Sequence, residues 1–276
     1  MNVFKHVLIA IDFSETTESL LRSAHELREL RELGVERVTL LHVQPVGYPG
    51  APQVTHQPRY VERLQELGAG LESSGFEVEP MVRAGPPGSE IAAVASELGA
   101  HLILLAAHEH GRVLRGLLGS VASETLQHAT VPVLLARFPR TGGEPPGGSP
   151  FRVRTTYSQP LLATDGSESA RGAEALARQL SARAHHTILV TVHEGTDQQE
   201  GHSDLQTLAQ GFEGEVEVRV ERGRRASEEI GRVAEEEEAT LILMGRTGRG
   251  GIVDRLLGST AEHLAQQVGC SVLVVP

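Results

Sequence analysis

The sequence predicts an α/β protein of two successive doubly wound domains, each a five-stranded parallel sheet of order 3-2-1-4-5 with helices on both faces. Three observations predict it. Short, continuous apolar runs alternate with segments whose apolar residues recur at helical spacing. This is the pattern of strands buried on both faces and joined by crossover helices. Strict alternation forces parallel pairing with right-handed connections. The whole series also occurs twice. HVLIAID (6–12) matches QPLLATD (159–165), VTLLHV (38–43) matches TILVTV (187–192), and HLILL (101–105) matches TLILM (240–244). LLGSVASETL (117–126) matches LLGSTAEHLA (256–265), and VPVLLA (131–136) matches SVLVVP (271–276). Five matches in one order mean one domain, duplicated. The copies are expected at 1–140 and 156–276, with a linker over 141–155. Its TGGEPPGGSP (141–150) is too rich in Gly and Pro for a helix or a central strand.

In the first copy HVLIAI is strand 1. Ser14 is placed to cap the next helix, with Leu20, Ala24 and Leu27 on one face. VTLLHV is strand 2. A long polar stretch, VGYPGAPQVTHQP (46–58), reads as a loop. A helix then aligns Val61, Leu64, Leu67 and Leu71. EVEPMV (77–82) alternates and reads as an edge strand with one wet face. Ile91, Val94, Ala95 and Leu98 mark a helix, HLILLA strand 4, 120–128 a helix and VPVLLA strand 5. The second copy repeats this, with Ala173, Leu176, Ala177 and Leu180 sharing a helix face and EVEVRV (215–220) a cleaner edge strand. The acidic run 235–238 reads as the solvated end of a helix. Strand 5 of each copy is hydrophobic and falls at a sheet edge. Pairing of the two strand-5 edges within the chain is the simplest cover, an intramolecular pseudo-dimer. A further homodimer is left open.

The chain has 276 residues, 39% of them hydrophobic but only 3% aromatic, so its cores are aliphatic. A formal net charge of −11 argues against nucleic acid or an anionic membrane as partner. Cys270 is the single cysteine, which makes a reducing cytoplasm the expected location. No apolar run approaches the ~20 residues that span a bilayer, and MNVFKHVLIAID does not read as a signal peptide.

The chemistry concentrates in GRTGRGGIVDRLLGST (245–260), between TLILM and the helical AEHLAQQ. Strand, glycine-rich loop and helix start together present bare N–H groups to an anion. In a 3-2-1-4-5 sheet this loop and Asp165 meet at the switch between strands 1 and 4, where ligands bind. Gly245, Gly248 and Gly258-Ser259 stand at the spacing G-2x-G-9x-G-[ST]. That spacing, with the DGS at 165–167, resembles the nucleotide-binding signature of the universal stress protein family, of tandem type. The resemblance covers both copies and implies two Rossmann-like domains. Gly245 and Gly248 would admit close backbone approach. Gly258, Ser259 and Thr260 would meet phosphate oxygens, and Asp165 the ribose hydroxyls. By resemblance alone, the backbone of Val192 would meet the adenine edge, and Ala163 and Met244 would line the site. Arg246 and Arg249 are expected near the phosphates from position alone.

The implied ligand is ATP, with Mg2+ or Mn2+ on its phosphates. The implied role is a nucleotide-dependent stress-response regulator acting on a protein partner. A slow ATPase and a scaffold without nucleotide are the alternatives. A dedicated enzyme is not expected. There is no nucleophile–base set, and ATDGSES (163–169) lacks the SGGxDS loop of adenine-nucleotide α-hydrolase-like enzymes. Lys5 is the sole lysine, so no P-loop lysine exists. The first copy keeps Asp12, Gly119 and Ser120, but has Ala106 in place of Gly245 and Glu109 in place of Gly248. It is expected not to bind ATP in the same way. His108, Glu109 and His110 lack the spacing of a zinc site. His42 and His193, near strand 2 of each copy, are expected to be structural.

Overall fold

The computed structural model describes residues 3–22, 24–46, 57–106, 118–137, 156–194, 198–248 and 256–276, with the backbone alone at 24–26, 57 and 198–200. The 141–155 linker, the His108–Glu109–His110 stretch, Arg249 and most of the 46–58 loop lie outside these residues.

Domain 1, the first copy, runs β1 (His6–Ala10), α1 (Glu15–Arg22), α2 (Ala24–Glu32), β2 (Arg37–Gln44), α3 (Gln57–Ser73), β3 (Glu77–Ala84), α4 (Pro87–Glu97), β4 (Leu102–Ala106), α5 (Ser120–His128) and β5 (Val133–Ala136). Domain 2 runs β6 (Pro160–Ala163), a 3-10 turn (Glu168–Ala170), α6 (Arg171–Ser181), β7 (His186–His193), α7 (Gln198–Ala209), β8 (Glu215–Arg222), α8 (Ala226–Glu236), β9 (Leu241–Gly245), α9 (Ser259–Gln267) and β10 (Ser271–Val275). The helical residues on either side of position 23, α1 and α2, carry one buried stripe of Leu20, Leu21, Leu27 and Leu30, as the sequence leads one to expect after Ser14. Ser14 does cap α1: its hydroxyl accepts the Thr17 N–H at 3.3 Å.

The strands form one ten-stranded sheet of order β3-β2-β1-β4-β5-β10-β9-β6-β7-β8. Each half has the order 3-2-1-4-5 with parallel pairing throughout. The halves join antiparallel through β5 and β10, with Val133, Leu134 and Leu135 opposite Val274, Leu273 and Val272. The two hydrophobic edges therefore cover each other. The remaining edges, β3 and β8, alternate. On β8 Arg219 pairs with Glu221 at 3.0 Å and with Glu236 of α8 at 3.3 Å, a charged face that discourages another strand.

Two apolar layers sandwich the sheet. One holds α1, α2, α3, α6 and α7 through residues such as Leu21, Leu64, Leu71, Ala177 and Leu180. The other holds α4, α5, α8 and α9 through Val94, Leu126, Val233 and Leu264. Both layers run without a break across the β5–β10 seam, since Leu134 and Leu273 share the first and Val133 and Val274 the second. This leaves the carboxyl ends of β6 and β9 side by side, with Ala163 opposite Met244.

Candidate functional site

β6 ends at Ala163, and the chain turns over the next four residues. Gly166 makes the turn with φ +69°, which a glycine adopts at little cost. Asp165 Oδ1 accepts the Ser167 N–H at 2.9 Å. Thr164 donates its N–H to the Val190 carbonyl at 3.0 Å and its hydroxyl to Glu174 at 2.6 Å, tying the turn to β7 and α6. β9 ends at Gly245, and its loop lies directly on this turn, where the Ser169 hydroxyl donates to the Thr247 carbonyl at 3.0 Å.

The glycines are sites of contact. A Cβ on Gly245 would stand 2.8 Å from the Ser169 carbonyl oxygen, on Gly248 2.7 Å from Asp165 Oδ2, and on Gly258 2.9 Å from the Arg246 carbonyl oxygen. None of the three has a positive φ. They supply room for close packing, not unusual dihedrals. Gly258 is the N-cap of α9, and its N–H donates to the Arg246 carbonyl at 2.9 Å. Having no side chain, it leaves the first-turn N–H groups of α9 without a side-chain cap.

A cavity of about 620 Å³ opens over these strand ends. Ala163, Asp165, Val192, Met244, Gly245, Gly248, Gly258, Ser259 and Thr260 all line it. Arg249 lies outside the described residues. Val190, Ala226 and Ile230 add to an apolar wall that the motif did not reveal. Ile230 sits on the buried stripe of α8 and reads from sequence as core. The N-terminus of α9, the positive end of a helix dipole, lines the same cavity. The lining thus combines apolar surface that suits a flat ring, a helix start that suits an anion, and the Asp165 carboxylate.

Arg246 stands where β9 meets its loop. It borders the cavity, but its guanidinium donates to the carbonyls of Ala129 at 2.9 Å and Gln127 at 3.4 Å, at the end of α5 in domain 1. Those carbonyls have no partner further along their helix, and they draw a cation. The two histidines line nothing in the cavity. His42 bonds the Ile11 carbonyl through Nδ1 at 2.8 Å, and its ring meets Phe13 and Tyr60 at 4.6 Å each. Burial pushes its pKa below the usual histidine value. The His193 ring packs against Gly201 of α7.

The sequence model of the universal stress protein family matches residues 4–137 and, a second time, residues 156–276. The chain belongs to the universal stress protein family. Universal stress protein Rv2623 of Mycobacterium tuberculosis is 27% identical over 301 residues, covering 97% of this chain and 95% of that one. Universal stress protein MJ0577 of Methanocaldococcus jannaschii is 25% identical over 158 residues, which is 49% of this chain and 96% of its own length. A solved universal stress protein from Archaeoglobus fulgidus has the same fold, with a TM-score of 0.78 at 24% identity, covering 99% of this chain and 96% of that chain.

Within this tandem universal stress protein the two crevices are built differently. Asp12, the counterpart of Asp165, accepts both the Ser14 N–H at 3.0 Å and the Thr17 hydroxyl at 2.7 Å. Phe13 occupies the place of Gly166 and takes the same left-handed backbone at φ +58°, a conformation bulky residues rarely adopt. Its ring is held between His42 and Tyr60.

Proposed function

We propose that domain 2 holds a single adenine nucleotide, ATP, and that the protein is a nucleotide-dependent regulator of the stress response, working in the cytoplasm. The observation that carries this reading is the set of surfaces that meet in one cavity. It is lined by apolar side chains, a carboxylate and a helix N-terminus without a side-chain cap that bears two hydroxyls, surfaces suited to the base, ribose and phosphates of a nucleotide. The cavity volume, about 620 Å³, falls within the roughly 300–1,000 Å³ of small-molecule sites.

In this reading adenine lies against Val190, Ile230 and Met244, its edge on the backbone of Val192. Asp165 accepts the ribose hydroxyls through the oxygen facing Gly248. The phosphates run past Gly245 and Gly248 to the N–H groups and hydroxyls of Ser259 and Thr260, where the helix end offsets their charge. A bound Mg2+ or Mn2+ would neutralise phosphate charge there, and Arg249 stands next to this stretch in the chain. Domain 1, with Ala106 at the Gly245 position and Phe13 at the Gly166 position, does not take ATP in this way.

The test is to denature the purified protein, identify what it releases, and follow added ATP over time. Released adenine nucleotide with slow or no turnover supports a regulator. Fast turnover that depends on a second substrate would make it an enzyme. No bound nucleotide even at millimolar ATP would make it a scaffold.

A further inference from the structure

We propose that domain 1 anchors the nucleotide site of domain 2, with Arg246 and Arg137 as positioning residues across the domain boundary. The inference rests on the nucleotide reading of the cavity and assigns a task to the copy that lost the motif.

Arg246 is the first residue after β9, and its main chain is a junction. Its N–H donates to the Val275 carbonyl at 2.7 Å, at the end of β10, and its carbonyl receives the Gly258 N–H at 2.9 Å. The position of Arg246 therefore sets the distance between the end of β9 and the start of α9, the two pieces that frame the anion side of the cavity. Its guanidinium is fastened to domain 1 through Ala129 and Gln127. The α9 side of this frame is fastened too. Arg137, the first residue after β5, donates its guanidinium to the carbonyls of Ala265 in α9 and of Cys270, the latter at 2.8 Å. Its N–H donates to Ser271 Oγ at 3.1 Å. Both the loop start and the helix that closes the loop thus hang on charge-assisted bonds to the other domain. Such bonds are stronger than neutral ones. Loop ends already held in their binding geometry lose less entropy on binding, which raises affinity without any new ligand contact.

The structure contains its own control. Arg183 also crosses the boundary, donating to the Glu32 carbonyl at 3.0 Å, but at the ends of α6 and α2 on the other face of the sheet. A general loss of domain docking would follow from either arginine; a loss of loop positioning follows only from Arg246 or Arg137.

The experiment uses the full chain as wild type, Arg246→Gln, Arg137→Gln and Arg183→Gln. ATP affinity is measured by calorimetry, and amide exchange at Gly258 by NMR in the nucleotide-free protein. The expected result is a Kd raised about tenfold in Arg246→Gln, a rise in the same direction in Arg137→Gln, and no more than about twofold change in Arg183→Gln. Gly258 should exchange faster in Arg246→Gln and at the wild-type rate in Arg183→Gln. Unchanged Gly258 exchange in Arg246→Gln overturns the proposal, as does an unchanged Kd where the wild type binds. A wild type that binds no ATP removes the nucleotide reading instead, and Gly258 exchange alone then decides whether domain 1 anchors the loop.

Discussion

Gly245, Gly248 and Gly258 each lack a side chain where another group already sits, but the groups differ. At Gly245 the obstacle is the Ser169 carbonyl, which is main chain; at Gly248 it is the Asp165 carboxylate, the end of a rotatable side chain. The two positions therefore separate packing from ligand contact. Gly245→Ala must displace backbone and is expected to cost about 1–3 kcal/mol in urea denaturation. Gly248→Ala need only turn Asp165 aside and is expected to cost under about 1 kcal/mol, yet to weaken ATP binding because the ribose acceptor has moved. Equal costs at the two positions would contradict this reading of the glycines. The spacing of these residues was legible because a loop on a strand end requires small residues at fixed intervals. The direction of the Arg246 guanidinium was not. Its partners Gln127 and Ala129 lie 119 and 117 residues away in the other domain, and no local pattern records them. Ala226 and Ile230 were missed for the opposite reason: their pattern is that of any helix facing a core.

At the scale of elements, β5 and β10 are fully buried strands that would otherwise be sheet edges. Their joining was foreseeable, because a long apolar edge is a template for association unless it is covered. The alternation of β3 and β8 likewise announced the two strands left at the outside. The seam makes a prediction. A chain of residues 156–276 exposes β10 and should pair with a copy of itself through that strand. MJ0577, which matches about half of this chain over nearly its whole length, shows that the family includes chains of this size. Sedimentation should give a dimer; a stable monomer would contradict the argument from the edge.

For the whole molecule the question is why one of two similar crevices should hold a nucleotide. The formal charge of −11 opposes any triphosphate, so local donors have to outweigh the global field. In the proposed reading domain 2 supplies them at the start of α9, whose first turn has no side-chain cap. Domain 1 has a matching Gly119 and Ser120 at the start of α5, but Phe13 stands in its turn where domain 2 has Gly166. Duplication gave both halves the sheet and its switch point, and the residues on that frame then diverged. The sheet order was readable because it follows from alternation and connection length. The loss of two motif glycines in the first copy was readable from the sequence, whereas the left-handed Phe13 in its turn was not. Calorimetric titration of ATP into the full chain, beside Gly248→Glu, tests this asymmetry most directly. The account predicts one site per chain in the wild type, lost or greatly weakened when a second carboxylate is set against Asp165. Two equivalent sites, or an unchanged affinity in Gly248→Glu, would contradict it.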